Sequence, residues 1–426
     1  MKPFKTVLFL GDGMADEPIA ELGGKTPLEA AKTPWMDKIA KDGRSGTFLT
    51  LPEGFPTSSD VANMSVMGGD LATELCGRGP LEAASMGIEL GPDDVAFRMN
   101  LVSVNDDGTL NDFSAGHIGE AAQNEAIDLL NEKLGSDKIR FYAGVSYRNI
   151  VVLSGAEFSS AVAYDKPDDN QGNPVSEHLP RAKSPEGEFT AATLRDIIAK
   201  ASEVLKGCQA NGVWPWSGGK AGAVHSISEL YGIKGAVVSA VDVINGLGRV
   251  MGLDVIKVPG ATGYIDTNYE GKADAAIKAI EDGYDFVYVH IESTDEVSHE
   301  QRLDLKLKAI EDFDSRLIGR VMSKLGDKVA YCVLPDHPVP LRIGKHTRTP
   351  VPVAVCQPGN AADGVENYSE TTALNGSLGA LKGGELMDLL LKWTGSTDMH
   401  TTGGARLHVL SIRFSPSGAA LRSTMS

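Results

Sequence analysis

The feature that most constrains this chain is an alternation of short apolar runs with amphipathic stretches of helical period. Apolar runs occupy residues 6–10, 236–241, 255–258, 286–291, 329–334 and 351–355. Amphipathic stretches lie between them, at 272–281 and 303–325 for example. Buried strands that alternate with helices predict an α/β fold with a largely parallel sheet. In such sheets ligands bind where the carboxyl ends of the strands open.

The middle of the chain departs from this alternation. Polar turns at 105–108 and a loop rich in Pro, Asp and Asn at 165–174 predict an α+β domain inserted into the first. We expect residues 1–86 and 222–393 to form the core and residues 87–221 the insert. Residues 394–426 are rich in Gly, Ser and Thr, and we expect them to form a poorly ordered tail.

Composition excludes several classes of function. The chain has 40 basic and 57 acidic residues, a formal charge of −17, which disfavours nucleic acids and anionic membranes as partners. A locally basic site could still bind a phosphorylated metabolite. The four cysteines are far apart, and no apolar stretch reaches the roughly 18 residues of a membrane span. We therefore expect a cytoplasmic protein, of undetermined oligomeric state, that binds neither nucleic acid nor membrane.

Polar side chains follow several of the predicted strands. They are Asp12, Asp295, His299, Asp336, His337 and His346. Three carboxylates and three imidazoles at one sheet edge would suit two divalent metals such as Mn or Zn. Taken singly, each has a simpler interpretation: an Asp after a strand often forms a turn, and His299 could be a helical surface neighbour of Asp295.

Ser59 lies just before an apolar helical stretch. Serine is favoured there as an N-cap, because its side chain accepts a hydrogen bond from a free backbone N–H group. It could instead be a nucleophile at the positive end of the helix, beside a metal that lowers the pKa of its hydroxyl. Both interpretations hold together if Ser58 provides the cap.

The order of these motifs resembles the alkaline phosphatase superfamily of metalloenzymes, and within it the archaeal-type 2,3-bisphosphoglycerate-independent phosphoglycerate mutases. The resemblance covers about residues 4–393 and includes the stretches 77–83, 94–100, 258–263 and 349–352. It implies an alkaline-phosphatase-like core with an inserted transferase domain. It also implies two divalent ions, manganese ahead of magnesium, cobalt or zinc, one held by Asp12, Ser59, Asp336 and His337 and the other by Asp295, His299 and His346.

The reaction implied by the resemblance is a double displacement on a small phosphorylated metabolite. Ser59 would attack the phosphoryl group of 3-phosphoglycerate, and the freed glycerate would turn and take it back on its other hydroxyl. Arg98, Arg148 and His117 belong to the predicted insert and would bind the substrate anion, since the planar fork of arginine matches a carboxylate. Each arginine could equally form a surface ion pair.

One element departs from the family pattern. Archaeal-type mutases typically carry an Arg-Gly-x-Gly element near the end of the insert, whereas this chain has Trp216 where the Arg would be. Lys220 could compensate in part as a point charge, or could simply be solvated. A related branch with a tryptophan-rich element has been proposed to act as homoserine kinases. The alternatives are therefore a phosphotransferase or kinase acting on homoserine or another small hydroxyl compound, without a Walker-type loop, and a non-catalytic metal-stabilised binding protein.

Overall fold

The computed structural model describes residues 4–220 and 224–392. The predicted tail at 394–426 lies outside the described residues. The strands are β1 (Thr6–Gly11), β2 (Arg44–Leu49), β3 (Asp94–Val104), β4 (Leu110–Asp112), β5 (Ile139–Val145), β6 (Arg148–Ser154), β7 (Val162–Ala163), β8 (Arg181–Ala182), β9 (Gly212–Lys220), β10 (Gly235–Val238), β11 (Asp254–Val255), β12 (Phe286–Ile291), β13 (Ala330–Leu334), β14 (Val351–Cys356) and β15 (Gly379–Lys382).

The helices of the described ranges follow in chain order. They are α1 (Pro27–Ala30), α2 (Pro34–Lys41), α3 (Ser59–Val66), α4 (Leu71–Glu74), α5 (Arg78–Ser85), α6 (Glu120–Leu134), α7 (Glu188–Val204), α8 (Ile227–Tyr231), α9 (Asp242–Val250), α10 (Tyr269–Glu281), α11 (Ser293–His299), α12 (Leu303–Asp312), α13 (Gly319–Leu325), α14 (Glu370–Ala373) and α15 (Glu385–Leu391). None of these helices has the length and apolar content of a segment that crosses a bilayer.

An eight-stranded sheet forms the larger layer, in the order β11-β10-β12-β1-β13-β14-β2-β15. The strands from β11 to β13 are mutually parallel, and β14 runs antiparallel to both of its neighbours. The predicted α/β fold with a largely parallel sheet is confirmed. Leu10 of β1 pairs with His290 of β12 and with Leu334 of β13, so these three strands end side by side. The loops that follow them therefore meet at one edge.

Both faces of this sheet are covered by helices. Along β1, Leu8 and Leu10 pack into one buried apolar cluster, while Val7 and Phe9 pack into another on the opposite face. This is the pattern of a parallel sheet buried on two sides, whose strands consist almost entirely of apolar residues.

Two predicted strands are shorter than expected, and one predicted helix is interrupted. The strand predicted at 236–241 ends at Val238, because the Ser239 hydroxyl accepts a hydrogen bond from the Val241 amide (3.0 Å) and α9 begins directly after it. The strand predicted at 255–258 ends at Val255 because its partner β10 ends at Val238; the last bond between them runs from the Ile256 amide to the Val237 carbonyl (2.9 Å). The helix predicted at 303–325 has a π-helical turn at Phe313–Ile318.

A second, antiparallel sheet is built around β3, which pairs with β6 along one edge and with β9 along the other over nearly the same residues. Strand β4 pairs with the end of β3, and β5 pairs with β6. Phe97, Met99 and Leu101 point from β3 into an apolar cluster that includes α6 and α7 residues. Helix α5 packs against β3 and β9. These strands all lie between residues 94 and 220, within the predicted insert, and the domain boundaries themselves stay a prediction.

Candidate active site

The polar residues that follow β1, β12 and β13 meet at the carboxyl end of the large sheet. Asp12 directly follows β1, Asp295 lies in α11 just after β12, and Asp336 follows β13. The Gly13 amide donates a hydrogen bond to Asp336 Oδ1 (3.1 Å). Gly13 has φ +63°, and a Cβ there would lie 2.6 Å from Asp295 Oδ1. Only glycine permits this close approach of the loop after β1 to Asp295.

Asp295, His299 and His346 form one compact group. Asp295 and His299 are four residues apart on α11, which places them on the same face of the helix. His299 Nε2 lies 3.2 Å from Asp295 Oδ2 and 3.0 Å from His346 Nε2. His346 Nε2 lies 3.4 Å from Asp295 Oδ1. The Gly344 carbonyl contacts His299 Nδ1 at 2.8 Å and so orients the ring.

Asp12, Ser59, Asp336 and His337 form the adjoining group. His337 Nε2 is the common point: it lies 3.3 Å from Asp12 Oδ1, 3.3 Å from Asp336 Oδ2 and 3.3 Å from Ser59 Oγ. All four side chains are buried. The His337 ring stacks on the His346 ring with a centroid distance of 3.8 Å, so the two groups are contiguous. All seven predicted metal ligands are thus brought together.

The electrostatics of the cluster show a shortage of positive charge. Burial, and then repulsion from neighbouring carboxylates, raises the pKa of Asp12. Burial raises the pKa of Asp336 to about 7 and lowers that of His337 to about 3. The hydrogen bond with Asp295 raises the pKa of His299 to about 9. Burial acts to raise the pKa of Asp295, but hydrogen bonds with the two histidines of its group outweigh it and lower that pKa.

The residues of both groups fit divalent metal ions. Asp12 Oδ1 and Asp295 Oδ1 are buried and have no hydrogen-bond partner among the described residues. A buried carboxylate oxygen without a partner is costly unless a cation neutralises it. Imidazole and carboxylate donors together are suited to Mn, Zn and similar ions. Among the described residues, four acid and histidine sets have ligand atoms within 4.8 Å of one another, and two of them consist only of predicted ligands: Asp295–His299–His346 and Asp12–Asp295–His337.

Ser59 is the first residue of α3, and Ser58 occupies the N-cap position. The Ser58 side chain makes no capping hydrogen bond. Because Ser58 occupies the N-cap and Ser59 Oγ faces His337, the simpler interpretation of Ser59 as a helix cap does not apply. Every residue of α3 is buried. The first N–H groups of a helix lack intrahelical acceptors and carry partial positive charge, which favours an anion beside Ser59.

A cavity of about 1180 Å³ opens beside this serine, with Ser58 and Asp60 in its wall. Two carboxylates, those of Asp60 and Asp168, lie in its lining. Six cationic side chains outnumber them: Arg78, Arg98, Lys166, Lys183, Lys220 and Arg348. In a chain with a formal charge of −17, this local excess of positive charge marks the cavity as a site for an anion.

Two of the residues predicted to bind the substrate anion line this cavity. Arg98 is buried, and its Nε lies 3.1 Å from Glu82 Oε2. Lys220 is half-buried at the end of β9, with Nζ 4.0 Å from Asp93 Oδ1. Both are therefore placed where they can contact a bound anion.

The other two predicted residues, Arg148 and His117, are exposed and do not line the cavity. They flank one of its wall residues: the Arg148 guanidinium lies 5.7 Å and the His117 ring 5.9 Å from the Tyr147 ring. Their part in substrate binding stays a prediction.

Comparison with known proteins places this site in a family. The Metalloenzyme superfamily matches residues 4–393. The 2,3-bisphosphoglycerate-independent phosphoglycerate mutase of Methanosarcina acetivorans is 46% identical over 400 residues, which are 91% of this chain and 100% of the relative. The chain belongs to the family of 2,3-bisphosphoglycerate-independent phosphoglycerate mutases. The resemblance inferred from the motifs is confirmed.

Other relatives agree with this assignment. The probable 2,3-bisphosphoglycerate-independent phosphoglycerate mutase of Geobacter sulfurreducens is 45% identical over 399 residues, 91% of this chain and 99% of the relative. The solved structure of the cofactor-independent phosphoglycerate mutase of Thermoplasma acidophilum is 29% identical, with a TM-score of 0.67, and covers 92% of this chain and 99% of that one. Membership of the Metalloenzyme superfamily, together with the acid and histidine cluster, supports divalent metal binding.

Sequence reasoning missed two buried residues of the site. Asn63 donates from Nδ2 to the Ser59 carbonyl (2.8 Å) and to Asp336 Oδ2 (2.9 Å). His290 Nε2 lies 3.0 Å from Asp12 Oδ2, and burial lowers the pKa of this imidazole to about 3. Two signals were available: Asn63 is one helical turn after Ser59, and His290 interrupts the apolar run of β12 next to its end.

Sequence reasoning also missed three cations of the cavity. Arg348 donates to the carbonyl oxygens of Pro52 (2.7 Å) and Phe55, and so fixes the loop that leads into α3. Lys166 and Lys183 are exposed and lie in loops of irregular structure. Nothing in the local sequence distinguishes these two lysines from other surface lysines, because their position depends on how the loop folds over the cavity.

Proposed function

We propose that this chain interconverts 3-phosphoglycerate and 2-phosphoglycerate by transferring the phosphoryl group through Ser59, with two divalent metal ions bound. One observation carries the proposal: Ser59 Oγ lies 3.3 Å from His337 Nε2 in the first turn of α3, and its chain neighbours Ser58 and Asp60 line the cation-rich cavity. A nucleophile, a metal-binding cluster and an anion site are the parts that phosphoryl transfer requires. The mutases named among the relatives support this substrate.

The two groups of ligands would hold one ion each. Asp12, Ser59, Asp336 and His337 would bind the first and Asp295, His299 and His346 the second, with manganese expected ahead of magnesium, cobalt or zinc. Bound there, divalent ions would lower the pKa of the serine hydroxyl and neutralise charge on the phosphoryl oxygens.

The serine carries the phosphoryl group between two hydroxyls of the substrate. Ser59 loses its proton and its Oγ forms a bond to phosphorus, while the bond from phosphorus to the C3 oxygen breaks and that oxygen takes up a proton. The same events in reverse at the C2 hydroxyl regenerate the free serine. The partial positive charge at the start of α3 stabilises the anionic oxygens in both steps.

The cavity holds the glycerate between the two steps. Its cationic side chains would retain the carboxylate, and Arg78 and Arg98 lie on the side formed by α5 and β3. At about 1180 Å³ the cavity is larger than most small-molecule sites, so a three-carbon acid has room to turn within it. Exclusion of water during this interval would protect the phosphoserine from hydrolysis.

The homoserine-kinase alternative is not favoured. Gly218 and Gly219 belong to strand β9, not to a phosphate-binding loop. A Cβ at Gly218 would lie 2.0 Å from the Phe97 ring, and one at Gly219 would lie 1.7 Å from the Cys76 carbonyl oxygen. Close packing therefore explains both glycines, and the segment 218–220 does not form a nucleotide-binding loop.

The direct test is turnover by purified protein loaded with manganese. Incubation with 3-phosphoglycerate should yield 2-phosphoglycerate, detected by phosphorus NMR, and chelation of the metal should abolish the reaction. In parallel, homoserine with ATP should yield no phosphohomoserine. Formation of phosphohomoserine without 2-phosphoglycerate would show that homoserine, not 3-phosphoglycerate, is the substrate. If fully metallated protein formed neither product, a non-catalytic binding role would be favoured. The cytoplasmic location expected from the sequence stays a prediction.

A further inference from the structure

Arg98 and Trp216 form a cross-strand pair in the wall of the cavity. They lie directly opposite each other in the antiparallel register of β3 and β9. The Cζ atom of Arg98 lies 4.2 Å from the centre of the Trp216 ring. Stacking of a guanidinium on an indole is among the strongest cation–π arrangements, above all where water is excluded. Arg98 is 7% and Trp216 8% exposed, so this contact is shielded from water.

A bulge in β9 places Trp216 opposite Arg98. Ala96 of β3 pairs with Gly219, but Arg98, two residues later, pairs with Trp216, three residues earlier in β9. The extra residue falls at Ser217–Gly218, and Ser217 has φ +48°, in the left-handed region that non-glycine residues seldom adopt. Such bulges re-aim a side chain and are frequent next to active sites.

The indole is itself held in place. Trp216 Nε1 donates to Asn100 Oδ1 (2.9 Å), and Asn100 Nδ2 donates to the Phe113 carbonyl (3.0 Å). Asn100 is buried and points to the same side of β3 as Arg98, two residues away. The ring plane is therefore fixed by a hydrogen bond at one edge, and the guanidinium stacked on it is fixed in turn.

Arg98 keeps free donors despite this packing. Among the described residues its ion-pair partner is Glu82, which approaches Nε, and its two terminal nitrogens make no hydrogen bond. The terminal nitrogens form the fork that binds a carboxylate through two parallel hydrogen bonds. Of the other cavity arginines, Arg348 is occupied by backbone carbonyls and Arg78 is paired with Asp60 at 3.4 Å and is more exposed.

We propose that Arg98 binds the carboxylate of the substrate and that Trp216 is the positioning residue that holds the Arg98 guanidinium in the orientation this requires. The inference rests on the proposed function for the identity of the substrate as a phosphorylated hydroxy acid. It assigns a use to the tryptophan that stands where an arginine was expected: Trp216 supplies no charge of its own and acts through Arg98.

The test compares two ligands that differ in the carboxylate. Manganese-loaded wild type, Trp216→Leu, Arg98→Met and the double variant are titrated calorimetrically with 3-phosphoglycerate and with glycerol 3-phosphate, which lacks the carboxylate. For 3-phosphoglycerate the apparent Kd covers both isomers if the protein interconverts them. Each single variant should bind it about tenfold more weakly or worse, since a charge-assisted hydrogen bond is lost or misaligned. Binding of glycerol 3-phosphate should stay unchanged.

The double variant separates positioning from general structural damage. If Trp216 acts through Arg98, Trp216→Leu should cost nothing further once Arg98 is Met. Trp216→Phe keeps a ring under the guanidinium but loses the hydrogen bond to Asn100, so it should bind 3-phosphoglycerate more tightly than Trp216→Leu and more weakly than wild type. If Arg98→Met does not fold, Arg98→Lys replaces it in the test, because lysine keeps a positive charge beside Glu82. This variant should still bind 3-phosphoglycerate more weakly than wild type, since lysine lacks the two terminal nitrogens of the guanidinium.

Trp214 provides a matched control on the same strand. It is buried, and its Nε1 donates to the Asp165 carbonyl (2.9 Å), but it does not line the cavity. Trp214→Leu should lower the melting temperature about as much as Trp216→Leu while leaving the discrimination between the two ligands intact. Four results would each overturn the inference. Trp216→Leu could weaken the binding of both ligands equally, or could weaken 3-phosphoglycerate binding as much in the Arg98→Met background as in the wild type. Arg98→Met could leave binding unchanged, or the wild type could fail to bind 3-phosphoglycerate. If the variants bind the two ligands as predicted but the wild type forms no 2-phosphoglycerate, the proposed function is wrong and the inference about Arg98 and Trp216 stands.

Discussion

The Nε2 atoms of His299 and His346 face each other at 3.0 Å, and each also approaches the carboxylate of Asp295. Two imidazole nitrogens and a carboxylate that converge on one point form a donor set for a metal ion, with His299 turned toward that point by the Gly344 carbonyl at its other nitrogen. This relationship underlies the first prediction.

Replacement of His346 by Ala should lower bound metal by about one ion per chain. The remaining pair, Asp295 and His299, leaves too few protein ligands for a stable site. The measurement is elemental analysis after manganese loading and gel filtration. His178→Ala is the control, because His178 pairs with Asp165 in another part of the fold, at 2.9 Å. An unchanged metal content in His346→Ala would exclude His346 as a ligand.

Replacement of Ser59 by Ala should reduce mutase turnover by about a thousandfold or more, since the nucleophile is lost. Its melting temperature, measured with the metal content verified, should change little, because Ser59 does not occupy the N-cap of α3. Ser58→Ala is the matched control for stability: Ser58 lies at the N-cap but makes no side-chain capping hydrogen bond, so this variant should also keep its melting temperature. Substantial turnover by Ser59→Ala would require another nucleophile.

Replacement of Lys306 by Met should lower the free energy of unfolding by about 3–5 kcal/mol, because it leaves the charge of Asp16 buried without its partner. Lys306 is fully buried, and its Nζ contacts Asp16 Oδ2 at 2.7 Å and the Val339 carbonyl at 3.0 Å, so it joins the loops after β1 and β13. Urea unfolding measures the loss.

Two further variants make the Lys306 result specific. Lys308→Met removes an exposed pair with Asp312 and should cost less than about 1 kcal/mol. Addition of Asp16→Asn to Lys306→Met should restore part of the stability, since no uncompensated charge is then buried. A Lys306→Met protein as stable as Lys308→Met would show that the buried pair contributes little.

Replacement of Asp314 by Asn should weaken the pH dependence of stability. Burial raises the pKa of Asp314 to about 7, even though its Oδ1 accepts a hydrogen bond from the Met36 amide (2.8 Å) at the start of α2. The native state therefore holds a proton that the unfolded chain releases near pH 4, so the free energy of unfolding falls as the pH rises from about 4 to about 7.

The measurement is the melting temperature at pH 5 and pH 8. The wild type should lose more stability over this interval than Asp314→Asn, whose amide oxygen still accepts the α2 hydrogen bonds but cannot ionise. Asp282→Asn, at an exposed site, should behave as wild type. The same difference between pH 5 and pH 8 in all three proteins would mean that Asp314 titrates as an exposed carboxyl group does.

The architecture and the convergence of the acid and histidine side chains were predictable because they depend on short-range patterns. The apolar runs at β1, β12 and β13 predict parallel strands, and polar residues that follow parallel strands meet at one edge of the sheet. Asp12, Asp295 and Asp336 meet there for that reason. The β12 prediction matched the observed bounds, whereas β10 and β11 are shorter than predicted, because side-chain hydrogen bonding at Ser239 ends β10 and β11 then has no further partner.

The wall of the cavity could not be predicted in the same way. Lys166 and Lys183 reach it through irregular loops, and Arg148, predicted to bind the anion, is exposed and lies outside the cavity lining, 5.7 Å from the Tyr147 ring. The contact between Arg98 and Trp216 depends on a one-residue bulge at Ser217–Gly218, because without it the strand register would place a different residue opposite Arg98. Long-range packing, not local sequence, decides these positions.

The central claim is that the phosphoryl group passes through Ser59, and trapping of that intermediate tests it most directly. Manganese-loaded protein mixed with 3-phosphoglycerate is quenched in acid during turnover, and its peptides are mapped by mass spectrometry. We predict one phosphorylated residue, Ser59, in an amount that falls when the metal is chelated before mixing. Phosphate on any other residue, or formation of 2-phosphoglycerate with no phosphoserine at position 59, would contradict the account.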